Sequence, residues 1–228
     1  MDQMKKYLRY ITIISILISF SCMPAKKIKV VFFGDSITEA AVNPHGFITI
    51  DDSLLNPKGS SNYDLIGAGI SGNKVYDLYF RMDDDVLSKS PDIVVIWVGV
   101  NDVWHKKSGT GTDADKFERF YLAMVKKFKA ANIKVIVCTP AAIGEKNDNT
   151  NEQDGDINKY SNMIRKIATD QQLTLVDLRA EFESYEKNNN PNNLDRGILT
   201  TDGVHLNDAG NMFVAKLMAE GIRKATQG

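Results

Sequence analysis

Five short apolar runs, each ending in turn-forming residues, punctuate the chain: Ile28–Phe33, Tyr63–Ile66, Ile93–Val98, Ile133–Thr139 and Leu173–Val176. They are too short for buried helices and rich in Val, Ile and Phe, so they read as strands covered on both faces. Between them the apolar positions recur with helical spacing. Asp113–Ala131 carries Phe117, Phe120, Tyr121, Met124, Val125 and Phe128 on one side, and Ile157–Gln171 carries Tyr160, Ile164 and Ile167. A last helix is predicted from Asn207, a polar starter, to about Arg223, with Val214, Leu217, Met218 and Ile222 facing inward. Strands alternating with helices predict parallel pairing through right-handed crossovers, with helices on both faces of the sheet.

Three polar stretches interrupt this rhythm. Residues 145–156 and 188–193 read as loops, the first on the sheet edge where a site would lie and either bordering a pocket or simply solvated. Asp83-Asp84-Asp85 lacks the spacing of a calcium loop and reads as a solvated helix face.

The N-terminus departs from the rest. Lys5, Lys6 and Arg9 precede the apolar run Tyr10–Phe20, and Ser21-Cys22 follows. A basic start, a short apolar core and a small residue before the break describe an export signal over residues 1–22 rather than a spanning helix, which needs about 20 apolar residues. Ser21-Cys22 resembles the end of a bacterial lipoprotein signal, which makes Cys22 the expected lipidation site and a membrane surface of the cell envelope the expected location. Simple cleavage is the alternative. The other cysteine, Cys138, lies in an apolar run and reads as a buried small hydrophobe, so no disulfide framework is expected. The 228 residues, less the leader, suit one domain, residues 27–228. A formal net charge of -1 provides no global field for nucleic acid.

Candidate chemistry gathers at the ends of the predicted strands, where open α/β sheets bind ligands. Gly34-Asp35-Ser36 closes the first run; by itself it fits an ordinary turn or N-cap as well as a nucleophile. A serine hydroxyl needs a base, and the chain has three histidines, His45, His105 and His205. Only His205 has a carboxylate, Asp202, at a separation that a tight glycine-containing turn folds back onto the imidazole. Gly72, after the second strand, and Asn101, after the third, offer a close backbone approach and a side-chain amide for a developing oxyanion. Each also fits plain turn chemistry; their joint placement at successive strand ends is what turns need not produce.

Taken in order, Gly34-Asp35-Ser36-Ile37, Gly72, Gly99-Val100-Asn101-Asp102 and Asp202-Gly203-Val204-His205 resemble the four blocks of the GDSL hydrolases of the SGNH group, with Ile37 where Leu is usual. The resemblance runs from about Lys29 to the C-terminus. It implies a three-layer α/β/α sandwich on a five-stranded parallel, flavodoxin-like sheet, with Ser36 as nucleophile, His205 as base and Asp202 as its support. It also implies an oxyanion hole from the N–H groups of Ser36 and Gly72 and the Asn101 amide, and neither metal nor organic cofactor.

The expected reaction is hydrolysis of a carboxylic ester through an acyl-enzyme. Polar residues near the expected mouth, among them Asn43, Asn73, Trp104 and His105, favour short O-acetyl esters of carbohydrates, with Asp35, Asn73 and Trp104 expected to touch substrate. The same site would serve a lipase, a lysophospholipase or an acyl thioesterase, and a surface lipoprotein that binds glycan without turnover is the rival from another class. A flavodoxin-like nucleotide binder is disfavoured, since no Gly-rich phosphate loop follows the first strand. Oligomeric state is not legible in these residues.

Overall fold

The computed structural model describes residues 26–58 and 60–227. The export signal of residues 1–22 and the lipidation of Cys22 lie outside the described residues. The five strands are β1 (Ile28–Gly34), β2 (Tyr63–Gly69), β3 (Ile93–Trp97), β4 (Lys134–Cys138) and β5 (Thr174–Val176), all parallel in the order β2-β1-β3-β4-β5. This is the flavodoxin-like order, in which the chain direction of winding switches between β1 and β3. The expected three-layer sandwich is therefore the observed architecture.

Alternate side chains of each strand feed two separate cores. Val30 and Phe32 of β1 join Val95, Trp97, Ile136 and Cys138 on one face. Val31 and Phe33 join Val94, Ile96, Val135 and Val137 on the other. β3 and the Val30–Gly34 part of β1 are buried on both faces, which is why these runs are apolar throughout rather than alternating, and the exposed strand positions are Asp64 on the edge strand β2 and Lys134 at the start of β4.

Helices α1 (Ser36–Ala40), α2 (Phe47–Leu55), α3 (Val75–Asp85), α4 (Val100–Trp104), α5 (Ala114–Ala130), α6 (Asp154–Gln171), α7 (Leu178–Asn189) and α8 (Asp208–Gln227) follow in chain order. On α5 the predicted stripe is buried at Phe117, Tyr121, Met124, Val125 and Phe128. Asn207 caps α8, its Oδ1 accepting from Gly210 N at 2.9 Å. Asp83 and Asp84 are exposed on α3, as a solvated face requires. Cys138 is buried, and burial pushes its thiol well above the ordinary range.

Two expectations about loops need correction. The stretch 145–156 is no free excursion: Glu145 is fully buried, and residues from Asp154 onward already belong to α6. Glu145 Oε1 accepts from Leu199 N and Thr200 N at 2.6 and 2.7 Å, and Oε2 from Ile198 N at 2.7 Å. The carboxylate thereby supplies acceptors to three backbone donors of the segment that leads to Asp202. Likewise Asn188 and Asn189 end helix α7, and only from Asn190 does the chain form a loop.

Candidate active site

The carboxyl ends of β1, β2 and β3 deliver the site. β1 stops at Gly34, where any Cβ would collide with Thr38 Oγ1 and the Trp97 carbonyl, so the chain turns tightly into α1. Asp35 caps that helix, its Oδ1 accepting from Ile37 N at 3.1 Å, and Ser36 follows as the first helical residue. Asp35 is enclosed: burial pushes its carboxyl up to about 7, the Ile37 N–H bond opposing and the nearby Asp102 charge adding. Its expected contact with substrate is thus corrected to a capping role beneath Ser36.

Ser36 Oγ lies 3.0 Å from His205 Nε2, although 169 positions separate the two residues. His205 Nδ1 lies 2.8 Å from Asp202 Oδ2. The other oxygen, Oδ1, accepts from Val204 N at 3.0 Å and His205 N at 2.8 Å, so one carboxylate both shapes the turn and faces the imidazole. Burial works against the Asp202 charge, but the bonds from the His205 ring and from the two backbone N–H groups outweigh it and hold the carboxyl below its ordinary range. The turn is fixed from outside too, by Thr201 N to His205 O at 2.8 Å and Gly144 N to Gly203 O at 2.9 Å.

Gly72 takes φ of +75°, a left-handed conformation that favours glycine, with open space where a Cβ would stand. Asn101 is buried at the start of α4 and donates from Nδ2 to the Asn73 carbonyl at 3.1 Å, which uses one of its two amide protons. Asn73, expected to touch substrate, is half-buried, and its Oδ1 accepts from Arg81 Nε at 2.7 Å. Ser71 is held from helix α1, its N–H and hydroxyl both donating to Glu39 Oε2. Asp102, fully buried beside Asn101, accepts from Val75 N with both oxygens at 3.2 and 3.3 Å, and burial raises its carboxyl to about 6.

Trp104 is half-buried with its ring centroid 6.2 Å from that of His205, edge on, so it flanks the imidazole. Of the other histidines, His105 stacks obliquely on Trp104 at 6.0 Å, while His45 occupies a turn with φ of +70°. Arg81, Glu39 and Glu145, which hold the site's loops, carried no sequence signal: each is one charged residue among many, and only its buried or bridging position distinguishes it.

Fold and geometry together define a class: a three-layer α/β/α protein with a hydroxyl, an imidazole and a carboxylate in hydrogen-bonded series at the carboxyl edge of a parallel sheet. The sequence pattern of the GDSL-like Lipase/Acylhydrolase family matches residues 32–212, and the chain belongs to that family as a carboxylic ester hydrolase. Among its relatives, the crystal structure of the acetyl xylan esterase AlAXEase is 64% identical with a TM-score of 0.84, over 86% of this chain and 100% of that one. An acetylxylan esterase of Geobacillus stearothermophilus is 29% identical over 208 residues, covering 82% of this chain and 90% of its own length. At 24% identity and a TM-score of 0.76, the α/β hydrolase LAE5 from the metagenome of Lake Arreo shares the fold, over 87% of this chain and 96% of that one.

Proposed function

We propose that the protein is a serine esterase removing O-acetyl groups from carbohydrates, acetylated xylan first among them. The observation that carries this reading is the continuous series Ser36 Oγ, His205 Nε2, His205 Nδ1, Asp202 Oδ2, with steps of 3.0 and 2.8 Å. The acetyl specificity is supported by the acetyl xylan esterase that is 64% identical and by the acetylxylan esterase of Geobacillus stearothermophilus.

In this mechanism Asp202 keeps the proton of His205 on Nδ1, so that Nε2 accepts the Ser36 proton as Oγ attacks the acetyl carbonyl carbon. The negative charge that forms on the carbonyl oxygen is met by the N–H groups of Ser36 and Gly72 and the second amide proton of Asn101. Collapse breaks the bond to the sugar oxygen, which leaves with the proton from Nε2. Water then adds to the acetyl-enzyme, giving its proton to His205, and a second collapse releases acetate and returns the proton to Ser36. Trp104, beside the imidazole, is the surface on which the sugar ring of the leaving alcohol rests.

The test is a hydrolysis panel of acetylated xylan, p-nitrophenyl acetate, p-nitrophenyl octanoate and an acyl thioester, run with the wild type and Ser36→Ala. Acetyl esters should be preferred and Ser36→Ala should be inactive. Preference for the octanoate or the thioester would overturn the carbohydrate reading. Binding of acetylated xylan by a wild type that neither turns it over nor reacts with a fluorophosphonate would make the protein a non-catalytic glycan binder.

We infer as well that the chain is exported and acylated on Cys22. Labelling of the wild type by a radioactive fatty acid, lost in Cys22→Ala, is the expected result; equal labelling of both would refute it.

A further inference from the structure

We propose that Arg81, which does not touch the reacting atoms, is the positioning residue of the oxyanion hole. This deepens the reading above and rests on the assignment of Ser36, Gly72 and Asn101 to that hole.

Strands β1 and β2 pair in register up to Gly34 opposite Gly69, and then part. One continues into the nucleophile helix, the other into the Gly72 turn. Where the strands diverge, the Gly34 carbonyl still accepts from Ile70 N at 3.3 Å, and Arg81 of α3 adds a second set of donors there. Its Nη2 donates to the Gly34 carbonyl at 2.7 Å and its Nη1 to the Ala68 carbonyl at 3.0 Å. The same guanidinium donates from Nε to Asn73 Oδ1 at 2.7 Å. Its own position is set by Asp85, 2.6 Å from Nη1, and by the Phe33 ring, over which Cζ lies at 4.5 Å.

These contacts join all three donors of the hole. Gly34 is two residues before Ser36, and Asn73 directly follows Gly72. The Asn73 carbonyl in turn holds Asn101 Nδ2 at 3.1 Å. One rigid planar group therefore fixes the distance between the nucleophile turn and the Gly72 turn, and through Asn73 the orientation of the Asn101 amide. Lysine has no such fork: its ammonium could keep the charge and one or two acceptors but not three in one plane. Because an oxyanion hole works only if its donors already stand where the charge develops, loosening it raises the barrier without weakening ground-state binding.

The experiment compares Arg81→Lys and Asn73→Ala with the wild type for kcat and KM on p-nitrophenyl acetate, and for the inhibition constant of a small boronic acid. A boronic acid adds to the serine as a tetrahedral anion and so reports on the hole. A displacement on the ångström scale costs on the order of 10- to 100-fold, so kcat should fall by about that factor in both variants. The KM should stay within about twofold, and boronate affinity should fall in parallel with kcat. Asn101→Ala, expected to lose on the order of 10²-fold or more in kcat, serves as the reference. Combining it with Asn73→Ala should cost less than the product of the two single losses. Should Arg81→Lys fail to fold, Asn73→Ala decides alone, since it leaves the two strand-end carbonyls with their guanidinium. Unchanged kcat and boronate affinity in Arg81→Lys, or in Asn73→Ala where Arg81→Lys does not fold, while Asn101→Ala shows its loss, would overturn the role of Arg81 alone. An Asn101→Ala enzyme with wild-type kcat would overturn the hole itself.

Discussion

Replacing Asp202 by Asn isolates what a carboxylate does that an amide of the same shape does not. The amide oxygen keeps the two acceptor bonds that Oδ1 makes to Val204 N at 3.0 Å and His205 N at 2.8 Å, so the turn survives. The amide nitrogen then stands 2.8 Å from His205 Nδ1 and donates to it. A donor there drives the imidazole proton onto Nε2, which can no longer accept from Ser36 Oγ at 3.0 Å. In a serine protease whose aspartate is buried, this exchange lowers kcat by about 10⁴. The Asp202 side chain is 43% exposed, so water competes for Nδ1 and permits the productive tautomer part of the time. The expected loss is therefore smaller, on the order of 10³, or about 4 kcal/mol at 1.36 kcal/mol per decade. Hydrolysis of p-nitrophenyl acetate gives kcat and KM, and thermal unfolding reports the fold. The expected outcome is a large fall in kcat, a steady KM and a melting temperature within a few degrees of the wild type. Activity within tenfold of the wild type would refute the tautomer argument, and with it the need for a charge at this position.

Asp51 tests the energetics of the scaffold away from the site. Among the described residues both its oxygens are buried without a hydrogen-bond partner, and burial pushes its carboxyl up to about 9, against the opposing charge of Arg223. As pH rises from the ordinary value of 3.8 towards about 9, the unfolded chain loses this proton first, so the wild type should become progressively less stable over that range. Asp51→Asn removes that dependence and should be more stable than the wild type at pH 8, by on the order of 1–2 kcal/mol, with the gap closing near pH 4. Urea unfolding at the two pH values checks this, and a gap that does not change with pH contradicts it. For Glu145→Ala, three backbone N–H groups lose their acceptor, and about 3 kcal/mol of stability should go with them. Because those donors lie just before the Asp202 turn, kcat should fall as well in the protein that remains folded; an unchanged melting temperature would show that water replaces the carboxylate at no cost.

The sequence by itself determined the sheet, its parallel sense and the residues at its carboxyl edge. Apolar runs such as Val30–Phe33 and Val94–Trp97 leave no polar face to expose, and only a doubly covered parallel sheet accommodates them. Glycines 34 and 72 and the Asp202–His205 spacing carried the chemistry because turns of that tightness depend on local backbone freedom. Helices were legible where their inward positions are apolar, as on α5, and obscured where they are charged. α2 turns Asp51 inward beside Phe47, Ile48 and Leu55, and α7 buries Arg179 and Glu186 beside Leu178 and Phe182, so neither shows a clean period.

What only the tertiary structure decided is which polar side chains hold the frame. Asp35 and Asn73 have the chemistry of binding residues, yet the first is enclosed as a helix cap and the second is engaged by Arg81. Arg81 and Glu145 look like surface charges in the sequence and prove to be bridges between segments remote along the chain. Periodicity encodes which face of an element is buried; it does not encode the partner that a charged group finds there, because that partner arrives only when separate elements pack.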